Sequence, residues 1–210
     1  SGVLSLESLA ATLAAIVMHS EGAIILLLFV MSLSNIAHAD TSVIFFFLIS
    51  PIILSSFSWA RLFYFDFKRL EFFPLTSLCQ KLLSNTFKVS FFIGLLFWGL
   101  ACLVALLVYS PGIQYLLALL PFFLLRSPIA ILQIHAFSMR RYLDVILSGC
   151  LILLSLLALA LTNASTHFVL FLVVILMTFS LLYLLFITTK TIKYQSDVFF
   201  PLTFYDWLKS

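Results

Sequence analysis

The stretch VSFFIGLLFWGLACLVALLVY, residues 89–109, decides the fold: no charged side chain occurs in it. A helix crosses the hydrocarbon core of a bilayer with about 20 mostly apolar residues. Apolar residues occupy every side of a helix drawn through this stretch, so it has no solvated face. The Ser110-Pro111-Gly112 turn that follows it breaks helices. A lipid-facing span is the reading.

The pattern repeats outward in both directions. Of the 210 residues, 64% are hydrophobic and 9% charged, where a soluble domain carries roughly 25% charged residues. So few charges cannot cover a folded surface in water, which excludes a secreted domain, a nucleic-acid module and a cytosolic enzyme. The net charge of +3 is too small to call for a polyanion partner, so membrane lipids are expected as partners and nucleic acid is not. Cys79, Cys102 and Cys150 sit singly in apolar or amphipathic runs and make no disulfide framework.

Six segments read as spans: residues 23–37, 43–60, 89–109, 113–134, 145–162 and 168–187. A seventh candidate, residues 3–18, precedes them across a compact polar turn, His19-Ser20-Glu21-Gly22. The predicted fold is therefore all-α, a polytopic transmembrane helical bundle. Residues 1–193 form one membrane domain and residues 194–210 an aromatic cytoplasmic tail.

Basic residues orient the bundle. Arg61, Lys68, Arg69, Lys81 and Lys88 lie between the second and third spans, Arg140 and Arg141 between the fourth and fifth, and Lys190 and Lys193 after the sixth. The opposite loops, residues 38–42, 110–112 and 163–167, contain no Lys or Arg. This partition predicts a cytoplasmic C-terminus, and a spanning helix at the start would place Ser1 outside. Residues 61–88 form an amphipathic cytoplasmic elbow. One polar stripe carries Arg61, Tyr64, Lys68 and Glu71; a second carries Ser77, Gln80, Lys81, Ser84 and Lys88, with Pro74 as the hinge. These pieces read as spans that extend past the bilayer, or as a surface that recruits a partner.

Arg126 is the outlier. It lies inside LALLPFFLLRSPIAILQIHAF, residues 117–137, between Pro121 and Pro128. A central charge costs about 2.5–3.5 kcal/mol on insertion scales, so it faces protein or water. Prolines free backbone carbonyls and bend a spanning helix. Arg126 thus reads either as a substrate-facing cation or as a group paired within the bundle. Gln133 and His135 close the same segment and join it as candidate binding residues, and Glu7 is the candidate buried carboxylate. No HExxH, intramembrane serine-protease pair or metal-ligand cluster is present, so an enzyme, a metal site and a cofactor are not expected.

The second span runs directly into SWARLFYFDFKRLE, and LLRSPIAILQIHAFSMRRYLDVILSGCLILLSLLALAL joins an arginine-containing helix to a plain apolar one through a basic turn. Over residues 43–187 this pattern resembles the C-terminal half of polysaccharide and lipid-linked oligosaccharide flippases of the MATE-like (MOP) superfamily. The resemblance implies a bacterial inner-membrane protein with alternating access around a cationic cavity. Arg126 would hold the phosphates of a lipid-linked saccharide there. Such flippases have two related halves and this chain supplies one at most, so the resemblance implies either a piece of a longer protein, or a second copy or other membrane subunits. The competing reading, from the few buried polar residues, is a non-catalytic subunit that scaffolds a larger membrane complex.

Overall fold

A computed structural model describes residues 5–34, 39–72, 76–108, 116–117, 120–150, 154 and 166–196. All regular structure among them is helical: α1 (Leu6–Ser34), α2 (Ala39–Ser58), a short 3-10 helix (Trp59–Phe63), α3 (Tyr64–Phe72), α4 (Thr76–Val108), α5 (Leu120–Ser138), α6 (residues 142–150) and α7 (Thr166–Ser196). Four helical segments among the described residues are long and apolar enough to cross a membrane: Phe47–Arg69, Gln80–Val108, Leu120–Ser138 and Phe171–Thr191. The described residues thus show four candidate spans of the six read from the sequence. Most of the expected fifth span (residues 151–153 and 155–162) lies outside the described residues, as do the 163–165 loop, the Pro74 hinge and the tail from residue 197 onward.

The first expected boundary is corrected. α1 is one helix of 29 residues and runs straight through His19-Ser20-Glu21-Gly22, so residues 3–18 and 23–37 are not two spans joined by a turn. The polar side chains fold back onto their own helix. His19 Nδ1 lies 2.6 Å from the Ala15 carbonyl, and Ser20 Oγ donates to the Val17 carbonyl. With these groups satisfied locally, nothing forces the backbone to break. A second correction follows. Glu7 near the start of α1 pairs with Arg140, so α1 begins beside the basic turn and not at the opposite end of the bundle.

α4 has 33 residues and is about 50 Å long, against roughly 30 Å of hydrocarbon. The second polar stripe of the elbow is thus the first turns of α4, continuous with the span. α5 starts at Leu120, which puts Pro121 in the first turn, where a missing N–H costs nothing. Only Pro128 interrupts the interior of α5.

α5 is the centre of the bundle. Nearly every side chain from Phe122 to Ser138 is buried, while α4 and α7 turn most of theirs outward. α4, α7, α2 and α3 pack around it. The α4 contact is tight at Gly94, where an added Cβ would stand 2.5 Å from the Phe123 carbonyl oxygen. Glycine is required there because the neighbour is backbone. Among the described helices α5 is the one most enclosed by protein, and so decides where polar groups can be held.

Candidate functional site: a buried ion pair in the bundle

Arg126 is 2% exposed and Glu21 is fully buried. Arg126 Nη1 lies 2.6 Å from Glu21 Oε2 and also donates to Gln133 Oε1 at 3.0 Å. Gln133 is seven residues further along α5, so the Arg126 and Gln133 side chains reach toward each other across about two turns. Gln133 Nε2 donates to Glu21 Oε1 at 2.8 Å and to Ser148 Oγ at 3.2 Å. Ser148 Oγ in turn donates to the Val145 carbonyl, and Ser180 Oγ donates to the Ser148 carbonyl. One network thus ties α1, α5, α6 and α7 together.

Each member is placed by its helix. Arg126 and Gln133 occupy the same side of α5 at a two-turn spacing. Gly149 lets α6 approach α1: a Cβ there would collide with the Val17 side chain and meet Glu21 Oε1 at 2.7 Å. The ion pair lies deep. From Glu7 to Glu21, and from Arg126 to Arg140, the chain advances by fourteen residues, about 21 Å of helix. Glu7 meets Arg140 and Glu21 meets Arg126, so the two pairs share one antiparallel register.

Glu7 is not the buried carboxylate. Its side chain is 58% exposed and lies 3.4 Å from an equally exposed Arg140. Glu21, read from the sequence as part of a turn, takes that place. The matched fourteen-residue spacing of the two acids and the two arginines was the signal available for it. Ser148 and Ser180 carried none, because a serine in an apolar helix has no preferred partner until neighbours are known.

The other sequence candidates gather at the basic end. His135 is buried with its ring edge-on to Phe67, at 5.3 Å between centroids, and takes no part in the Arg126 network. Arg141 Nε pairs with Asp144 Oδ2 at 2.8 Å, and its Nη1 donates to the Ile187 carbonyl and to Thr191 Oγ1. Tyr183 OH donates to Asp144 Oδ1 at 2.9 Å. A local ion pair therefore anchors the α5–α6 turn to α7. Lys68 Nζ lies over the Tyr64 ring and donates to its hydroxyl. Arg61, Arg69 and Lys81 are exposed, and Lys88 is half-buried. Among the described residues no cluster of His, Cys, Asp and Glu could hold a metal ion.

No protein-family model, curated protein or solved structure matches the chain.

Proposed function

We propose that this chain is a membrane transporter or flippase component that moves an anionic, lipid-linked saccharide by alternating access. In this reading it sits in a bacterial inner membrane with the basic end cytoplasmic. Arg126 is the residue that meets the substrate, and Glu21 is the counter-ion that holds the guanidinium between turnovers.

The observation that carries the reading is a buried charge pair: among the described residues, the only buried Asp, Glu, Lys or Arg side chains are Glu21 and Arg126, and they face each other. Two charges withdrawn from water lose several kcal/mol of hydration each, and well-packed hydrophobic side chains often serve stability equally well. Ionisable groups at such depth characteristically mark substrate or ion pathways. A carboxylate on α1 facing a cation on α5 is a contact that an anionic headgroup can replace. The pattern-level resemblance to lipid-linked saccharide flippases supports the same substrate class.

A second reading rests on a different observation. Gln133 bonds both members of the pair and also Ser148, so the network is bridged internally on every helix it touches. That suits a structural staple in a non-catalytic membrane subunit.

Exchanging the charges separates the two. Glu21→Arg/Arg126→Glu keeps an ion pair, so a staple should survive in the doubly exchanged protein. Transport of a lipid-linked saccharide into proteoliposomes should be lost in it, and also in Arg126→Ala. Wild-type transport by Arg126→Ala that inserts and purifies normally would sink the transporter reading. Co-purification with fixed partners, unaffected by the exchange, would favour the subunit.

A further inference from the structure

We propose that the segment Trp59–Arg69 is a docking face for the headgroups of anionic phospholipids at the basic end of the bundle. The 3-10 helix and α3 are fixed on one side to α5. Phe67 is fully buried against His135, Tyr64 packs on Phe137 with 5.9 Å between ring centroids, and Ala60 is fully buried. The other side faces outward. Leu62 is 77% and Phe65 67% exposed, and Arg61, Asp66 and Arg69 are exposed beside them.

Leu62, Phe65 and Arg69 follow one another at helical spacing, so an apolar pair and a guanidinium share a stripe. That order matches the edge of a bilayer, where apolar side chains enter the acyl boundary and long basic side chains reach the headgroups. Charge selects the lipid. At this end Arg140 faces Glu7, and Arg141 is engaged by Asp144. Among the described side chains, Arg61 and Arg69 flank the stripe as exposed cations and Lys81 and Lys190 are exposed elsewhere on α4 and α7, against the exposed carboxylate of Asp66. The surplus is positive. A soluble acidic protein would satisfy the arginines but would leave Leu62 and Phe65 in water, whereas an anionic lipid covers both.

The test uses the full chain in nanodiscs of phosphatidylcholine containing increasing phosphatidylglycerol. Lipid retention is read by native mass spectrometry after release. The wild type should retain phosphatidylglycerol in preference to phosphatidylcholine. Each basic residue near an anionic surface contributes about five-fold in affinity, so Arg61→Gln/Arg69→Gln should lower that preference by roughly 25-fold at low salt. Lys190→Gln removes a cation from the same end but away from the stripe and should leave most of the preference intact. Salt of about 1 M should erase the difference, because the Debye length falls to about 3 Å. Equal losses in the arginine variant and in Lys190→Gln, or no phosphatidylglycerol preference in the wild type, would overturn the assignment. A size-exclusion profile of the arginine variant identical to wild type ensures that a loss reports the face and not the fold.

Discussion

Glu21 on α1 lies 2.6 Å from Arg126 on α5, and both side chains are withdrawn from the surface. Neither residue could be tolerated alone at that position. An uncompensated charge in a low-dielectric interior costs several kcal/mol, and the pair is offset only by close geometry and by the amide of Gln133 that bridges it. The consequence is a coupling between helices far apart in sequence, which single and double substitutions should expose.

Glu21→Leu leaves the guanidinium without its carboxylate and should destabilise the protein by about 3–5 kcal/mol. The double variant Glu21→Leu/Arg126→Met removes both charges and should recover most of that loss. Thermal unfolding in detergent, arranged as a double-mutant cycle, reads the coupling directly. Additive losses would mean that the two side chains do not act as a pair.

The glycines should behave in three different ways. Gly94→Ala drives a methyl group into the Phe123 carbonyl, and backbone on both sides cannot yield, so about 1–3 kcal/mol should be lost. Gly149→Ala strikes the stiff, β-branched Val17 and the buried Glu21 carboxylate, so it should cost at least as much and should also loosen the ion pair. Gly99 has nothing within 4 Å of an added Cβ, so Gly99→Ala should be neutral or stabilise by up to about 1 kcal/mol. Equal effects at all three positions would contradict the helix packing.

Arg140 occupies the left-handed region with φ of 58°, where a side chain is strained and glycine is not. Its exposed pair with Glu7 is worth little. Arg140→Gly should therefore raise the melting temperature, by the equivalent of about 1 kcal/mol, and Glu7→Gln should change stability by less than about 0.5 kcal/mol. A clear loss on Arg140→Gly would show that the side chain contributes more than its conformation costs.

The continuous α1 places Glu7 at the same end as the basic turn. In a cysteine-free background, Glu7→Cys and Arg61→Cys should both react with a membrane-impermeant maleimide from one face and be protected from the other. Labelling from opposite faces would restore the two-span reading of residues 3–37.

Several of these features are visible in the residues alone. An uncharged run such as 89–109 needs no tertiary information to be placed in lipid, because every face of the helix is apolar. Arg126 stands out for the same reason, as a charge in a stretch that has no other. The difficulty came with polar groups whose cost depends on neighbours. A Glu beside His, Ser and Gly reads as a turn when water is the only partner imagined. In the bundle the same Glu is held by Arg126 and Gln133, and the helix continues.

By itself, then, the sequence determined helices long and apolar enough to cross a membrane, the helical class, the basic end and the charge that had to be compensated. These follow from local composition, which a bilayer filters residue by residue. Tertiary structure decided which carboxylate compensates that charge, that α1 is unbroken, and that α5 is the shielded centre. Those outcomes depend on which helices approach closely enough for long side chains to meet. Close approach is set by small residues such as Gly94 and Gly149 and by the register of antiparallel helices, and neither is fixed by hydrophobicity.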